Sequence, residues 1–295
     1  MVGTPSAGLI TNAREWLRRS RLNLKRTPKI GIALGGGFAR GIAHVGVLRA
    51  FEKHGIPIHA IAGVSAGSIA AAAYASGMPL AEIESVARGM RFRDVARWTL
   101  SPLGLAGTDR MAAFLERLLA ATRFEDMRTP LAVVASDLIT GNPVIFRDRG
   151  DVILPIRASC SYPGLFTPIR VNGWCLVDGM VSMEVPARPL RAMGCTHVIS
   201  VCLPDSSDCL DPRNLFSVIT RSFQILNRRT QGEWQRWSNL VISPQVGALS
   251  WNSFEDCAKL IAAGERAAIQ ALPSVRRWFR DGLEPAPAMP ASVPV

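Results

Sequence analysis

Several things are scarce in these 295 residues, and each scarcity removes a class of protein. Aromatic residues make up 7% of the chain, with only two tyrosines, and no zinc-finger, RRM-like or basic-zipper pattern occurs, which argues against a nucleic-acid binder despite the basic charge. The six cysteines (Cys160, Cys175, Cys195, Cys202, Cys209, Cys257) include no C-x-x-C pair and follow no signal-peptide pattern, so they read as reduced thiols of a cytoplasmic protein. No metal-ligand spacing and no cofactor motif is present, and the expected metal and cofactor content is none. The longest uncharged stretch, Ile56 to Ala81, contains Pro57, His59, three serines and three glycines. A buried strand, turn and helix explain it better than a membrane span, and no transmembrane helix is expected. There is no internal repeat.

What is present is an excess of positive charge, 34 Lys and Arg against 23 Asp and Glu, and an apolar content of 48%. The first points to an anionic partner; the absences above favour an anionic membrane surface over nucleic acid. The second allows a large core. Strand and helix patterns alternate from Ile30 onward, which predicts an α/β fold: one three-layer α/β/α sandwich around a mostly parallel sheet.

Two stretches organise the chain. Ile30 to Leu34 is an apolar run of the kind a buried parallel strand needs, and it passes through Gly35, Gly36 and Gly37 into a helical pattern. Glycines at such a turn let backbone N–H groups approach an anion, either a phosphate or the oxyanion of an acyl transfer. Ile58 to Ala62 is a second buried run, followed by Gly63-Val64-Ser65-Ala66-Gly67 and an alanine-rich helix. A serine with glycine two places before and two after it is the pattern of a nucleophile elbow, which exposes the hydroxyl on a sharp strand-to-helix turn. Either motif alone is a weak signal. On consecutive strand–helix units they reinforce each other. A dinucleotide-binding reading leaves the serine unexplained, and the loop is not G-x-G-x-x-G.

Gly35-Gly36-Gly37-Phe38-Ala39-Arg40-Gly41, the elbow, and Val177-Asp178-Gly179 resemble, in that order, the three signatures of the patatin-like phospholipases, in particular the bacterial members and the neuropathy-target-esterase type. Ala158 to Pro168 resembles the stretch before that family's Asp-Gly. The likeness spans roughly residues 29 to 200. It implies a patatin-like sandwich and a serine acyl hydrolase acting on lipid esters, phospholipid or lysophospholipid. Ser65 would be the nucleophile and Asp178 its partner in a dyad, with Gly63 and Gly67 shaping the elbow and Gly179 following the aspartate. Gly35, Gly36, Gly37, Phe38, Arg40 and Gly41 would form the oxyanion loop. Arg40 could hold a lipid phosphate or brace the loop through buried carbonyls. Phe38 stands where many relatives have a fourth glycine, and Met180 where Gly or Ala is usual.

Other readings have their own residues. An α/β-hydrolase triad would need His197, the only histidine after Asp178, but no H-G-G-G motif accompanies it. A non-catalytic lipid-binding relative would not need Ser65 and Asp178 intact. The expected organisation is a basic amphipathic segment (1–28), a patatin-like catalytic domain (29–272) and a Pro/Ala-rich tail (273–295). Residues 11 to 25 read as a surface helix or as one lying at a membrane interface. Residues 92 to 106 mix Trp98, Leu100, Leu103 and Leu105 with breakers, and read as a packed loop or a cap over an acyl channel.

Overall fold

Strands buried on both faces need apolar side chains at every position, and alternate residues then serve opposite layers. The computed structural model describes residues 27–204, 211–247, 249 and 254–281, and shows that division plainly. In β1 (Ile30–Leu34), Ile30, Ile32 and Leu34 enter the larger core cluster, joined by Ile61 of β2 (Ala60–Gly63), Leu131 and Val133 of β5 (Leu131–Asp137) and Ile199 and Val201 of β10 (His197–Val201). The opposite face carries Ala33, Ala60, Ala62, Ala132 and Val198. Large residues on one side hold a thick layer of helices: α1 (Ala43–Lys53), α2 (Ala66–Ala75), α3 (Leu80–Gly89), α5 (Asp109–Leu118) and α9 (Cys257–Asp281). Small residues on the other side let α7 (Ala187–Ala192) and α8 (Leu215–Gln235) approach closely.

The main sheet has eight strands. β11 (Leu240–Ile242), β10, β1, β2 and β5 run parallel in that order, and β9 (Trp174–Asp178), β8 (Ile169–Val171) and β6 (Pro143–Arg147) add antiparallel pairings. This is the mostly parallel α/β/α sandwich that the sequence predicts.

Two differences from the sequence reading have physical causes. Residues 92–107 are not an irregular loop: α4 (Phe92–Val95) leads into the hairpin β3 (Arg97–Ser101) and β4 (Gly104–Gly107), and β4 pairs with β7 (Gly164–Phe166) in a separate three-stranded sheet. That parallel pairing joins segments sixty residues apart, which no local pattern reveals. The boundary expected at residue 273 falls inside α9, because Val275 and Trp278 continue its buried stripe and outweigh the bond lost at Pro273. Trp278 stacks on His197, with ring centroids 4.5 Å apart. The expected N-terminal amphipathic helix and the last part of the tail lie outside the described residues. Among the described residues, no helix is long and apolar enough to cross a membrane.

Candidate active site

The site follows from which edges of β5 are used. Ala132 to Ser136 pair with β6 along one edge. A strand has only two edges, so the parallel pairing of Leu131–Val133 with β2 and the antiparallel pairing of Ala135–Asp137 with β9 share the other. β2 therefore runs toward Gly63, opposite Val133, while β9 arrives from the opposite direction and ends at Asp178, opposite Ala135. The two strand ends meet tip to tip. A Cβ placed on Gly179 would lie 2.2 Å from the Val134 carbonyl oxygen and 3.2 Å from a Val64 methyl, which shows how closely the two turns are packed.

Ser65 follows β2 with φ 52° and ψ −130°, a conformation costing a non-glycine residue on the order of 1–3 kcal/mol. It is tolerated because its surroundings leave no alternative. The Ser65 N–H donates to Oγ of Ser159, the last residue of α6 (Ile153–Ser159), at 2.8 Å, and that hydroxyl donates to the Val134 carbonyl (2.6 Å). The Ser65 carbonyl accepts from both the N–H and the Oγ of Ser68 (2.8 and 2.6 Å). The flanking glycines are sterically required: a Cβ on Gly63 would sit 2.4 Å from Ser68 Cα, and one on Gly67 2.3 Å from the Leu34 carbonyl oxygen. Ser65 is also the N-cap of α2, yet its side chain makes no capping bond, forgoing about 1 kcal/mol of helix stability. The hydroxyl lies next to the positive end of the helix without being used to cap it.

Asp178 is wholly buried. Its Oδ1 accepts from the Met180 N–H (2.9 Å), and its Oδ2 is buried without a hydrogen-bond partner. Burial pushes the carboxyl up to about 7, while the Met180 N–H and the nearby Ser65 hydroxyl pull the other way. A carboxylate with one vacant oxygen and a near-neutral pKa can accept a serine proton. Serine–base contacts are often loose before substrate arrives. Burial, and after it the same carboxylate, push the neighbouring Cys160 thiol well above its usual range.

The residues expected in the oxyanion loop divide by role. Gly35 donates its N–H to the Val201 carbonyl (3.0 Å) and so belongs to the sheet. Gly36 lies beside the serine: a Cβ there would be 3.3 Å from Ser65 Cβ. The N–H groups of Gly36 and Gly37 enter no hydrogen bond among the described residues. Arg40 is buried and donates to the Pro204 carbonyl (3.3 Å), a contact of the kind a brace through buried carbonyls would make. Gly41 packs on Ala66 at the start of α2. Phe38 adopts φ 50° and packs on Tyr162 (ring centroids 4.9 Å apart), so the departure from glycine builds an aromatic wall. Met180 lays its thioether over Gly36, where a Cβ would come within 2.1 Å of the sulfur. Ser159, Cys160 and His44 also belong to this neighbourhood and were not identifiable from local pattern, because only the folded chain brings them to the elbow.

An apolar pocket of about 110 Å³ opens beside Ser65, against the roughly 10–15 Å³ a single water needs. Ile42, Ile69, Val86, Met111 and Phe114 are among its walls, and Phe92 and Val95 of the 92–107 segment close one side. His197 is far from this chemistry. It opens β10 opposite Ile30, four strand steps or about 13 Å below the level at which β2 ends, and its Nδ1 lies 3.1 Å from Thr196 Oγ1. The Ser-Asp-His triad is thereby excluded for this histidine.

Comparison with known proteins places this geometry in a class. The human GIVD cytosolic phospholipase A2 in complex with methyl gamma-linolenyl fluorophosphonate superimposes with a TM-score of 0.52 at 12% identity, covering 90% of this chain and 61% of that one. VipD from Legionella pneumophila does so at 0.51 and 14%, covering 84% and 67%. The fold is therefore the one these two proteins share. In sequence, an uncharacterized NTE family protein of Mycobacterium tuberculosis is 31% identical over 189 residues, 63% of this chain and 52% of that protein. The lysophospholipase NTE1 of Candida albicans is 30% identical over 205 residues, 68% of this chain and 15% of that protein. This chain thus spans about half the length, or less, of these relatives. The patatin-like phospholipase family model matches residues 32–191, more than half of the chain, and the chain belongs to that family.

Proposed function

We propose that this chain hydrolyses the carboxylic ester of a lipid, a phospholipid or lysophospholipid, through a Ser65–Asp178 dyad. The observation that carries this reading is the tip-to-tip meeting of β2 and β9, which places a strained serine against a buried carboxyl of near-neutral pKa at the mouth of an apolar pocket. Lysophospholipase and phospholipase A2 relatives support it. Ser65 Oγ attacks the acyl carbon as Asp178 takes its proton. The carbonyl oxygen becomes an oxyanion facing the Gly36 and Gly37 N–H groups, each well-aimed donor contributing about 3–4 kcal/mol. The tetrahedral intermediate expels the alcohol, which leaves with the proton from Asp178. Water then attacks the acyl-enzyme, giving its proton to the carboxylate, and the fatty acid departs with the serine regenerated. The acyl chain occupies the apolar pocket.

The substrate's source is an anionic membrane surface. Trp98, Leu103 and Leu105 on the hairpin and Leu215, Val218 and Leu226 on α8 are exposed. They share a lobe whose aromatic cluster includes Phe38 and Phe92 of the pocket wall. Exposed Arg93, Arg97, Arg213, Arg228 and Arg229 lie among them, each worth about 1 kcal/mol near anionic lipid.

A fluorophosphonate probe should label Ser65 and leave a folded Ser65→Ala protein unlabelled. A hydrolysis screen over neutral esters, lysophospholipids and phospholipids, with that variant as control, tests the reaction. Labelling elsewhere, or undiminished hydrolysis by the variant, rejects it. Binding to anionic vesicles should weaken with salt and with Trp98→Ala, Leu215→Ala; unchanged binding rejects this lobe as the membrane face.

A further inference from the structure

Three glycines in succession leave a loop with little reason to hold one orientation. With no side chains to resist, the peptide plane between Gly35 and Gly36 could rotate and present a carbonyl where an N–H is needed. Something must fix it, and the structure contains one group positioned to do so. The Gly35 carbonyl lies 2.8 Å from His44 Nε2, at the start of α1. A carbonyl only accepts, so Nε2 carries the hydrogen and the ring is the neutral tautomer with Nδ1 bare. Burial pulls this imidazole down to about 4. It stays neutral across the working range.

Stability alone does not account for this histidine. Its Nδ1 is buried with no hydrogen-bond partner. A phenylalanine would fill similar space without an orphaned acceptor. What the histidine supplies is direction. The peptide bond is planar and trans, so the Gly36 N–H points opposite to the Gly35 carbonyl. Holding that carbonyl on the α1 side turns the Gly36 N–H away from it, at a residue that lies beside Ser65.

We infer that His44 is a positioning residue of the reaction: by donating Nε2–H to the Gly35 carbonyl, it locks the Gly35–Gly36 peptide so that the Gly36 N–H meets the oxyanion forming on the acyl carbon bound to Ser65. The inference rests on the reading of Ser65 as nucleophile. His44 touches no reacting atom.

The test uses the full chain, a short-chain p-nitrophenyl ester and a trifluoromethyl ketone, whose serine adduct carries an oxyanion. His44→Phe keeps the bulk and removes the donor. His44→Gln restores an N–H near the Nε2 position, whereas His44→Asn is one carbon too short. In His44→Phe, kcat should fall about 10²–10³-fold with KM within about threefold, and ketone affinity should fall in parallel. The melting temperature should hold or rise, and the loss should be the same at every pH from 6 to 9. His44→Gln should recover at least about tenfold of the lost kcat, and His44→Asn should not. Full activity in His44→Phe, a loss confined to KM, or no recovery in a folded His44→Gln overturns the inference. If His44→Phe fails to fold, equal kcat in the Gln and Asn variants does so instead. Ser65→Ala separates the two levels: if it still hydrolyses the ester, the nucleophile reading falls. If it is inactive while His44→Phe is not, only the role of His44 falls.

Discussion

Asp137 and Asp178 are two buried aspartates on paired strands of one sheet, Asp178 opposite Ala135 and Asp137 opposite Leu176. Asp137 is surrounded by donors. Its Oδ1 accepts from the Cys175 and Ile139 N–H groups (3.1 and 3.3 Å), and its Oδ2 from the N–H and hydroxyl of Thr140 (3.2 and 2.9 Å). These bonds, the Cys175 N–H foremost, hold its carboxyl below the usual range. Asp178 has one backbone donor and a vacant oxygen, and burial raises it to about 7. Burial alone does not decide what a carboxyl does. The number of donors turned toward it decides whether it is a fixed structural anion or a usable base.

The largest effect that would break this comparison is at Asp178. Asp178→Asn keeps the shape and removes the base, and should lower kcat by about 10²–10⁴-fold or more. The same variant should be more stable than the native protein near pH 8. Below about pH 4 both folded and unfolded chains hold the Asp178 proton; between about 4 and 7 only the folded chain does, so its stability falls as pH rises, by at most about 1.4 kcal/mol per unit. Asparagine lacks that slope. Thermal melts from pH 4 to 8 with ester kinetics would show both effects, and near-native turnover would reject Asp178 as base.

A second effect is in the pH profile. If deprotonated Asp178 is the base, kcat/KM should rise about tenfold per unit below pH 7 and level off above it. A profile flat from pH 5 to 8 contradicts the near-neutral carboxyl.

Asp137 should respond in the opposite sense. Its depressed pKa contributes stability that is present above the ordinary aspartate range and lost as pH falls through the folded value. Asp137→Asn should lower the melting temperature at pH 7 and flatten the acid side of the stability curve, with kcat within about threefold of native once folded. A folded variant that loses turnover would mean that the 138–141 turn feeds into the site.

The smallest effect is expected at His197. Its ring stacks on Trp278 far from Ser65, so His197→Ala should cost stability while leaving kcat within about the 10²-fold that marks even a weak general base. Collapse of activity in a folded His197→Ala protein would revive the triad.

The layered fold and the glycine and serine turns are legible in the residues alone, because those signals are local. Ile30 to Leu34 and Ala60 to Gly63 are apolar at every position, as strands covered on both faces must be, and a serine between spaced glycines fits few backbone shapes. Which neighbours those turns acquired depends on how distant segments pack together. Arg40 meets the Pro204 carbonyl, a partner 164 residues further along the chain. The 92–107 segment became a sheet because β7 arrived to pair with β4. Asp178 faces the elbow because β2 and β9 share one edge of β5, and His44 governs a glycine nine residues away because α1 folds back beneath the loop. Each depends on a contact between parts of the chain whose local patterns carry no information about one another.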